Sequence, residues 1–385
     1  MNFQHYLPVK LIFGRGEIKK VGEISEEYGK KAFLVTGKSS AKKTGILDLV
    51  CDNLGAKGIE VDVFDSVESN PLTTTAIKGA KRCKDIGCDL VIGLGGGSVL
   101  DCAKAIAFIT KNEGDINDYI FMKKSSEKAL PLVLIPTTCG TGSEGNSFSV
   151  LTNPENKDKK SLRSSAIVAK ATIVDSHLCE TMPSSVLASV GFDALCHSME
   201  AYLSNSATPF SMMMAKEAIQ LIGNHLVPIY KGVGTEEDWD AVALASTLGG
   251  MAIGLSGVAL PHAMEHPASG LRDIVHGKGL AALTPVITKA SIGKAYYGKG
   301  YEKVLEKYGV ISRSLGGVNV LDCEEIIRCL LDDLDLTTNF TELGMKKEDI
   351  DWMSNNCMKV SLAAVQNHPV EFSQEEIFKL YESVY

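Results

Sequence analysis

The chain has 385 residues, of which 45% are hydrophobic and 22% charged, and its formal net charge at pH 7 is −8. This length exceeds the usual limit of one hydrophobic core and predicts two domains, while the acidic balance argues against a nucleic-acid partner. No run of eighteen apolar residues and no N-terminal signal-peptide pattern is present, so we expect no membrane association and no export.

Ten cysteines are scattered through the chain. Cys83 and Cys88 are too far apart for a Cys-x-x-Cys pair, and Cys323 and Cys329 are typical of a helix face. We therefore expect reduced, mostly buried thiols and a cytoplasmic protein.

Short apolar runs alternate with helical patterns through the first 180 residues. Strand patterns occupy residues 10–14, 32–37, 59–64, 89–94, 130–136 and 167–175. Helical patterns occupy residues 17–28, 44–54, 72–86 and 98–108. Strands that alternate with helices indicate parallel βαβ units, so we predict a doubly wound, mainly parallel α/β sheet for residues 1–180.

The helical period dominates from residue 184 onward, and no convincing strand follows it. We therefore place a domain boundary near residue 180 and predict an all-helical domain for residues 181–385. Two polar segments, 232–238 and 294–300, are predicted to be loops between helices.

A glycine-rich segment follows one buried strand and opens a helix: Gly93-Leu94-Gly95-Gly96-Gly97-Ser98. Glycines let the backbone approach a phosphate, and a helix N-terminus supplies free N–H donors. The segment matches neither the ATP-binding loop nor Gly-x-Gly-x-x-Gly, and a structural tight turn is the alternative. A second polar loop, residues 137–143, also ends a strand. Because ligands bind at the carboxyl ends of parallel strands, we predict a dinucleotide across these two loops.

The residues after the first clear strand of the series bear on cofactor choice. An Asp or Glu there would bind a ribose 2′-hydroxyl and repel a 2′-phosphate. This chain has Gly37, Lys38 and Ser39 instead. The pattern favours NADP over NAD, although a solvated turn explains Lys38 equally well.

Histidines recur at helical spacing in the second half. Asp193 and His197 are four residues apart, as are His262 and His266, and His276 follows a short turn. Residues four apart share one helix face, and one carboxylate with several imidazoles suits Fe(II) or Zn(II) better than Mg or Ca. The alternative is a set of ordinary helix side chains.

Five motifs together resemble the iron-containing (group III) alcohol dehydrogenase family. They are Gly95-Gly96-Gly97-Ser98-Val-Leu-Asp101, Pro136-Thr-Thr-Cys-Gly-Thr-Gly-Ser-Glu144, Gly191-Phe-Asp193-Ala-Leu-Cys-His197, His262-Ala-Met-Glu-His266-Pro and His276-Gly277. The resemblance runs from about residue 5 to the C-terminus. It implies a dehydroquinate synthase-like fold, with an N-terminal dinucleotide-binding α/β domain, a C-terminal helical domain and a catalytic cleft between them.

The resemblance also assigns roles to residues. The metal ligands are expected to be Asp193, His197, His262 and His276, with His266 near the nicotinamide as a proton relay. The expected cofactor contacts are Gly37, Asn70, Gly96, Gly97, Ser98, Thr137, Thr138, Val150, Leu178 and a lysine that is either Lys159 or Lys160. Residues 145–148, Ser176 and residues 367–369 depart from the family pattern, and the first and third departures leave the shape of the substrate pocket open.

The implied activity is reversible hydride transfer between a small primary alcohol or diol and NAD(P), with NADP favoured and the metal acting as a Lewis acid. Within the same superfamily, a glycerol dehydrogenase or a dehydroquinate synthase is the alternative. A metal-dependent hydrolase, or a non-catalytic metal-binding protein, would use the histidines without the glycine loop. The sequence does not rank alcohols or separate Fe from Zn. A homodimer is expected, with an N-terminal edge strand as a natural pairing surface.

Overall fold

The structure is a computed structural model that describes Phe3 and residues 6–385. Contacts within the chain divide it into two compact units, Tyr6–Met182 and Pro183–Tyr385. Every strand found in residues 6–385 lies in the first unit, and the second unit is built from helices.

The first unit is organised by a six-stranded sheet in the order β1-β8-β5-β4-β2-β3. Its strands and those of a separate hairpin are β1 Lys10–Phe13, β2 Lys31–Gly37, β3 Glu60–Val67, β4 Leu90–Gly95, β5 Leu132–Pro136, β6 Phe148–Thr152, β7 Lys159–Arg163 and β8 Ala171–Val174. Every neighbouring pair in the large sheet is parallel. The predicted doubly wound parallel sheet is therefore confirmed, with β1 at one edge.

Helices cover both faces of this sheet. They are α1 Val21–Ser25, α2 Ser40–Lys43, α3 Ile46–Gly55, α4 Thr73–Ile86, α5 Gly97–Lys111 and α6 Ile116–Ile120. Along β2, Phe33 and Val35 belong to one hydrophobic cluster, whereas Ala32 and Leu34 belong to another. Because successive strand residues point to opposite faces, the two clusters are the two layers of helix-on-sheet core.

The structure differs from the predicted elements in several places. The antiparallel hairpin of β6 and β7 was not predicted, because its second strand is rich in lysine and its turn is polar. The short helices α2 and α6 were also missed, and the first helix ends at Ser25, not at residue 28.

The expectation that every cysteine is reduced is wrong for one pair. Cys83 and Cys88 form a disulfide with their Cα atoms 5.4 Å apart. Gly87, just beyond α4, has a left-handed φ of 68°, and the Cys88 amide donates to the Cys83 carbonyl at 3.1 Å. This Schellman turn brings residues five apart side by side, so the pair forms without the Cys-x-x-Cys spacing. The other eight cysteines are free thiols.

The second unit consists of ten helices. They are α7 Ser184–Leu203, α8 Pro209–Tyr230, α9 Glu236–Ser256, α10 Leu260–Arg272, α11 His276–Tyr297, α12 Glu302–Ser314, α13 Cys323–Asp333, α14 Asp349–Val360, α15 Leu362–Asn367 and α16 Gln374–Ser383. The loop predicted for residues 294–300 is wrong in its first part, because α11 continues until Gly298 ends it. The loop predicted for residues 232–238 is wrong in its last part, because α9 begins at Glu236.

Helix α7 lies in the interior of the second unit, and from Leu187 onward almost every residue on it is buried. A helix that is enclosed on all sides packs against several neighbours at once. Among residues 6–385, no helix on its own has the length and apolar character of a membrane span. Helices α9 and α10 have this length and apolar character only as a pair, and the pair is bent by 101°.

Asn367 belongs to the segment 367–369, which departs from the family pattern. Its side chain connects two turns of the second unit. Its amide donates to the carbonyls of Ser256 and Val258 at 2.8 and 2.9 Å. Its carbonyl oxygen accepts from the Ser204 hydroxyl at 2.9 Å and from the Ser206 amide at 3.2 Å. The neighbouring side chain, His368, is therefore held inside the unit, where it is 3% exposed.

His368 should make the protein sensitive to acid. Burial lowers the pKa of His368 to about 3 from its ordinary value of 6.5. Between pH 6.5 and pH 3 the unfolded chain carries a proton on this histidine that the folded protein lacks. The free energy of unfolding therefore falls as the pH falls from 6.5 toward 3, by at most about 1.4 kcal/mol per pH unit. We expect His368→Gln to have a shallower decline of the free energy of unfolding over this range. Denaturant unfolding at stepped pH measures it, and parallel curves for the two proteins would contradict the prediction.

Candidate functional site

Three helices of the second unit bring the predicted metal ligands together. Helix α7 carries Asp193 and His197 one turn apart, α10 carries His262 in its first turn, and α11 begins at His276. The three imidazole Nε2 atoms lie 3.6, 3.3 and 3.6 Å from Asp193 Oδ1, in the order His197, His262 and His276. The predicted helical spacing is confirmed, and all four side chains converge on one point.

The convergence leaves polar atoms without partners. Asp193, His197 and His262 are 3%, 6% and 2% exposed. Asp193 Oδ1 and His262 Nε2 are buried and have no hydrogen-bond partner of good geometry in residues 6–385. An unsatisfied buried polar group costs about 1–3 kcal/mol. One carboxylate and three imidazoles aimed at one point fit a divalent cation such as Fe(II) or Zn(II).

Two buried glutamates, which the sequence analysis did not identify, flank the ligands. Glu200 Oε1 lies 2.5 Å from Nδ1 of His262, and Glu265 Oε2 contacts Nδ1 of His276. A carboxylate behind a ligating imidazole is a common arrangement around metals. Glu200 follows Asp193 by seven residues, so extending the helical spacing by one more turn would have found it.

The charges of the site compensate one another. Burial alone would raise the pKa of Asp193, but the imidazoles of His197, His276 and His262 bring that pKa well below its ordinary value. Burial lowers the pKa of His197 to about 4. Burial would also lower the pKa of His262, but Glu200 and Asp193 raise it to about 10. In the metal-free protein a proton on His262 therefore supplies the positive charge between two carboxylates.

His266, the predicted proton relay, lies at the border of this cluster. Its ring centroid is 5.9 Å from those of His262 and His276, and it stacks on the second at 28°. It is only partly buried. The structure thus places His266 beside the four converging side chains.

In the first unit, the two predicted phosphate loops lie in close contact. The strand β4 ends at Gly95 and α5 begins at Gly97, as predicted. A Cβ atom on Gly96 would lie 3.2 Å from the side chain of Thr138, and one on Gly97 would lie 2.3 Å from that of Thr141. Thr137 donates its amide to the Gly95 carbonyl at 3.0 Å. At Gly97 only glycine fits against Thr141, so the two loops meet at the N-terminus of α5, where backbone N–H groups can bind an anion.

The structure distinguishes the two candidate lysines on β7. Lys159 is buried and donates to Asn70 Oδ1 at 3.2 Å, whereas the Nζ of Lys160 lies 5.0 Å over the ring of Phe121. Neighbouring residues of a strand point to opposite faces. Lys159 therefore accompanies a predicted cofactor contact, and Lys160 does not.

The remaining predicted cofactor residues are distributed around the ends of the strands. The Ser98 hydroxyl donates to the Ser69 carbonyl, beside Asn70. Val150 donates its amide to Asp101 at 2.9 Å. Leu178 follows β8 and packs into a hydrophobic cluster. Gly37 ends β2, and Lys38 and Ser39 after it are exposed.

Two charged side chains of α5, Lys104 and Asp101, tie these segments together. The ammonium of Lys104 donates to Ser143 Oγ, Asn146 Oδ1 and the Phe148 carbonyl at 2.9, 3.0 and 2.7 Å. Asp101 accepts from the Ser143 hydroxyl at 2.6 Å. Burial raises the pKa of Asp101 and lowers that of Lys104 to about 8. The pair fixes the loop after β5 and the hairpin against the helix that opens with the glycine loop.

Replacing Lys104 should disturb cofactor binding from a distance. Lys104→Met leaves Ser143 Oγ, Asn146 Oδ1 and the Phe148 carbonyl without their donor, which costs about 1–3 kcal/mol of stability for each unsatisfied buried group and loosens the loop after β5. We expect the variant to bind NADPH about tenfold more weakly, a loss of about 1.4 kcal/mol, measured by fluorescence titration. Lys111→Met, an exposed lysine on the same helix, should bind like the unmodified protein. Unchanged affinity in folded Lys104→Met would contradict the proposed coupling.

Comparison with known proteins confirms the resemblance. Residues 8–176 match the model of iron-containing alcohol dehydrogenases, and residues 187–385 match that of the C-terminal part of the Fe-containing alcohol dehydrogenase family. A sulfoacetaldehyde reductase of Bilophila wadsworthia and a 1,3-propanediol dehydrogenase of Klebsiella pneumoniae are each 32% identical, over 100% of this chain and 99% of theirs. An archaeal alcohol dehydrogenase from a Red Sea brine pool shares the fold with a TM-score of 0.94 and 32% identity, over 100% of this chain and 99% of that one. The chain belongs to the iron-containing alcohol dehydrogenase family and is an oxidoreductase.

Proposed function

We propose that this oxidoreductase transfers hydride reversibly between a small primary alcohol or diol and NADP, and that Asp193, His197, His262 and His276 hold Fe(II) or Zn(II). The observation that carries the proposal is the convergence of three imidazole Nε2 atoms, two of them on buried histidines, on one unsatisfied carboxylate oxygen. A sulfoacetaldehyde reductase and a 1,3-propanediol dehydrogenase among the relatives both have names that fit chemistry at a terminal carbon.

When bound, the cation would supply Lewis acidity to an alcohol oxygen. The protein residues would do the rest. Asp193, whose pKa is lowered by its imidazole neighbours, stays ionised across the working range and fixes the negative charge of the site. His266, at the partly exposed border of the cluster, would receive the alcohol proton and pass it toward water.

The glycine loop would hold the cofactor. The N-terminus of α5, kept accessible by Gly96 and Gly97, offers backbone N–H groups to a pyrophosphate. Lys159, beside Asn70, adds a positive charge in the same unit. Thr137 and Thr138, in the loop against the glycines, would complete the contacts with the dinucleotide.

The residues after β2 favour NADP. Gly37 presents no carboxylate to a 2′-phosphate, and Lys38 beside it is exposed. A cation next to two hydroxyl side chains would attract the phosphate.

We also propose a cytoplasmic homodimer. Eight of the ten cysteines are free thiols, as in reducing compartments. The strand β1 is at the edge of the large sheet, and its unpaired side could accept the same strand of a second copy.

The metal assignment can be tested by substitution and chelation. Chelator-stripped protein should not oxidise 1-butanol, and anaerobic Fe(II) or Zn(II) should restore the rate. Asp193→Asn should lower kcat by more than about 100-fold and bind less than one equivalent of metal, because it removes the anionic ligand. Asp351→Asn, an exposed residue of α14, serves as the matched control. Full metal stoichiometry in folded Asp193→Asn would overturn the assignment.

The cofactor preference can be tested at Gly37. A Cβ atom there would lie 3.7 Å from Val99 Cγ2 and 4.0 Å from the Val67 carbonyl, which is ordinary contact. Gly37→Asp should therefore fold normally and shift the ratio of kcat/KM for NADP over NAD by about tenfold or more toward NAD. Gly55→Asp, where a Cβ atom meets nothing within 4 Å, should leave that ratio unchanged. An unmodified protein that already prefers NAD would contradict the proposal.

A further inference from the structure

We infer that Glu200 and Glu265 are positioning residues for the metal site, each fixing the orientation and proton of one histidine so that its Nε2 lone pair faces the cation. The inference rests on the proposed ligand set. A neutral imidazole carries its proton on one nitrogen and a lone pair on the other. A carboxylate that accepts Nδ1–H therefore decides which nitrogen is free for a metal.

Glu200 performs this role for His262 and a second one for the helix that carries it. It is 2% exposed. While Oε1 contacts Nδ1 of His262, Oε2 accepts from the amide of Ala259 at 2.5 Å. Ala259 is the N-cap residue of α10, which receives no cap from its own side chains. One carboxylate on α7 thus sets both the start of α10 and the orientation of its first-turn histidine.

Glu265, on α10, makes the same kind of contact with the histidine of the next helix, α11. It is fully buried on α10, and its Oε2 contacts Nδ1 of His276 at the start of α11 and accepts from the Ser269 hydroxyl at 3.2 Å. Helix α11 passes so close that a Cβ atom on Gly279 would lie 2.9 Å from Glu265 Cγ. The two carboxylate–imidazole pairs therefore join α7 to α10 and α10 to α11.

His197 differs from the other two histidines. No carboxylate contacts its Nδ1, which is buried and has no hydrogen-bond partner in the part of the chain that the structure describes. Nδ1 of His276 also makes no hydrogen bond of good geometry there, but it lies against Oε2 of Glu265. The ring is held by its own helix and by stacking on His262, with centroids 4.5 Å apart and planes at 16°. A change in the position of His262 therefore also affects the position of His197. Replacing Glu200 should for this reason weaken metal binding more than replacing Glu265.

The two carboxamide replacements separate these roles. Both oxygens of Glu200 face donors, the imidazole N–H and the backbone amide of Ala259. A glutamine offers one acceptor and one donor, so it must set its NH₂ against one of them. At Glu265, the contacts with His276 and Ser269 both use Oε2, which a glutamine carbonyl can replace. The change at Glu200 should therefore weaken metal binding more than the change at Glu265.

The experiment titrates chelator-stripped full-length protein with Zn(II) against a chromophoric competitor. We expect Glu200→Gln to raise the Kd for Zn(II) by about 10–100-fold, and Glu265→Gln by about tenfold. The increase in Tm on adding Zn(II) should shrink in both variants, while the Kd for NADPH stays within about twofold. Glu382→Gln, an exposed residue of α16, should match the unmodified protein in every measurement.

The outcomes are distinguishable. An unchanged Kd for Zn(II) in folded Glu200→Gln overturns the inference, as does a lower Tm with an unchanged response to Zn(II), which indicates a purely structural role. If Glu200→Gln does not fold, wild-type affinity in Glu265→Gln overturns it. Asp193→Asn is measured alongside, and tight Zn(II) binding there shows that the ligand set itself is wrong.

Discussion

The second unit depends on one costly arrangement, a carboxylate oxygen of Asp193 buried among three imidazoles without a hydrogen-bond partner of good geometry. Apolar side chains at these positions would pack the interior of a helical bundle without that cost. The protein instead builds α7, α10 and α11 so that four polar side chains meet inside it. The proposed cation would give all four of them a partner at once.

The first unit handles a buried charge in the opposite way. Lys104 is completely buried, yet its ammonium is surrounded by acceptors and accompanied by Asp101. Nothing there calls for a ligand, because the protein supplies every partner. The contrast separates two uses of buried charge. At Asp193 the missing partners leave room for the proposed cation, and at Lys104 the full set of acceptors gives rigidity to a loop that is proposed to bind the cofactor.

The sequence predicts those features that are local or repeat at a fixed spacing. Alternating strands and helices predict the parallel sheet, glycines after a strand predict the loop before α5, and spacings of four place Asp193 with His197. Features that depend on the meeting of distant segments were missed. Glu200 and Glu265 act on histidines of the next helix, the hairpin of β6 and β7 is too polar to show a strand pattern, and the disulfide depends on a Schellman turn.

The placement of the two glutamates also answers an electrostatic difficulty. His262 lies in the first turn of α10, and His276 is the first residue of α11. A helix N-terminus carries roughly half a positive charge, which opposes a cation held there. Glu200 accepts the Ala259 amide at the start of α10, and Glu265 lies against the start of α11. Each carboxylate therefore offsets the helix charge at the point where its histidine would bind the metal. Two helix N-termini can then contribute to one cation site, although either alone would disfavour it.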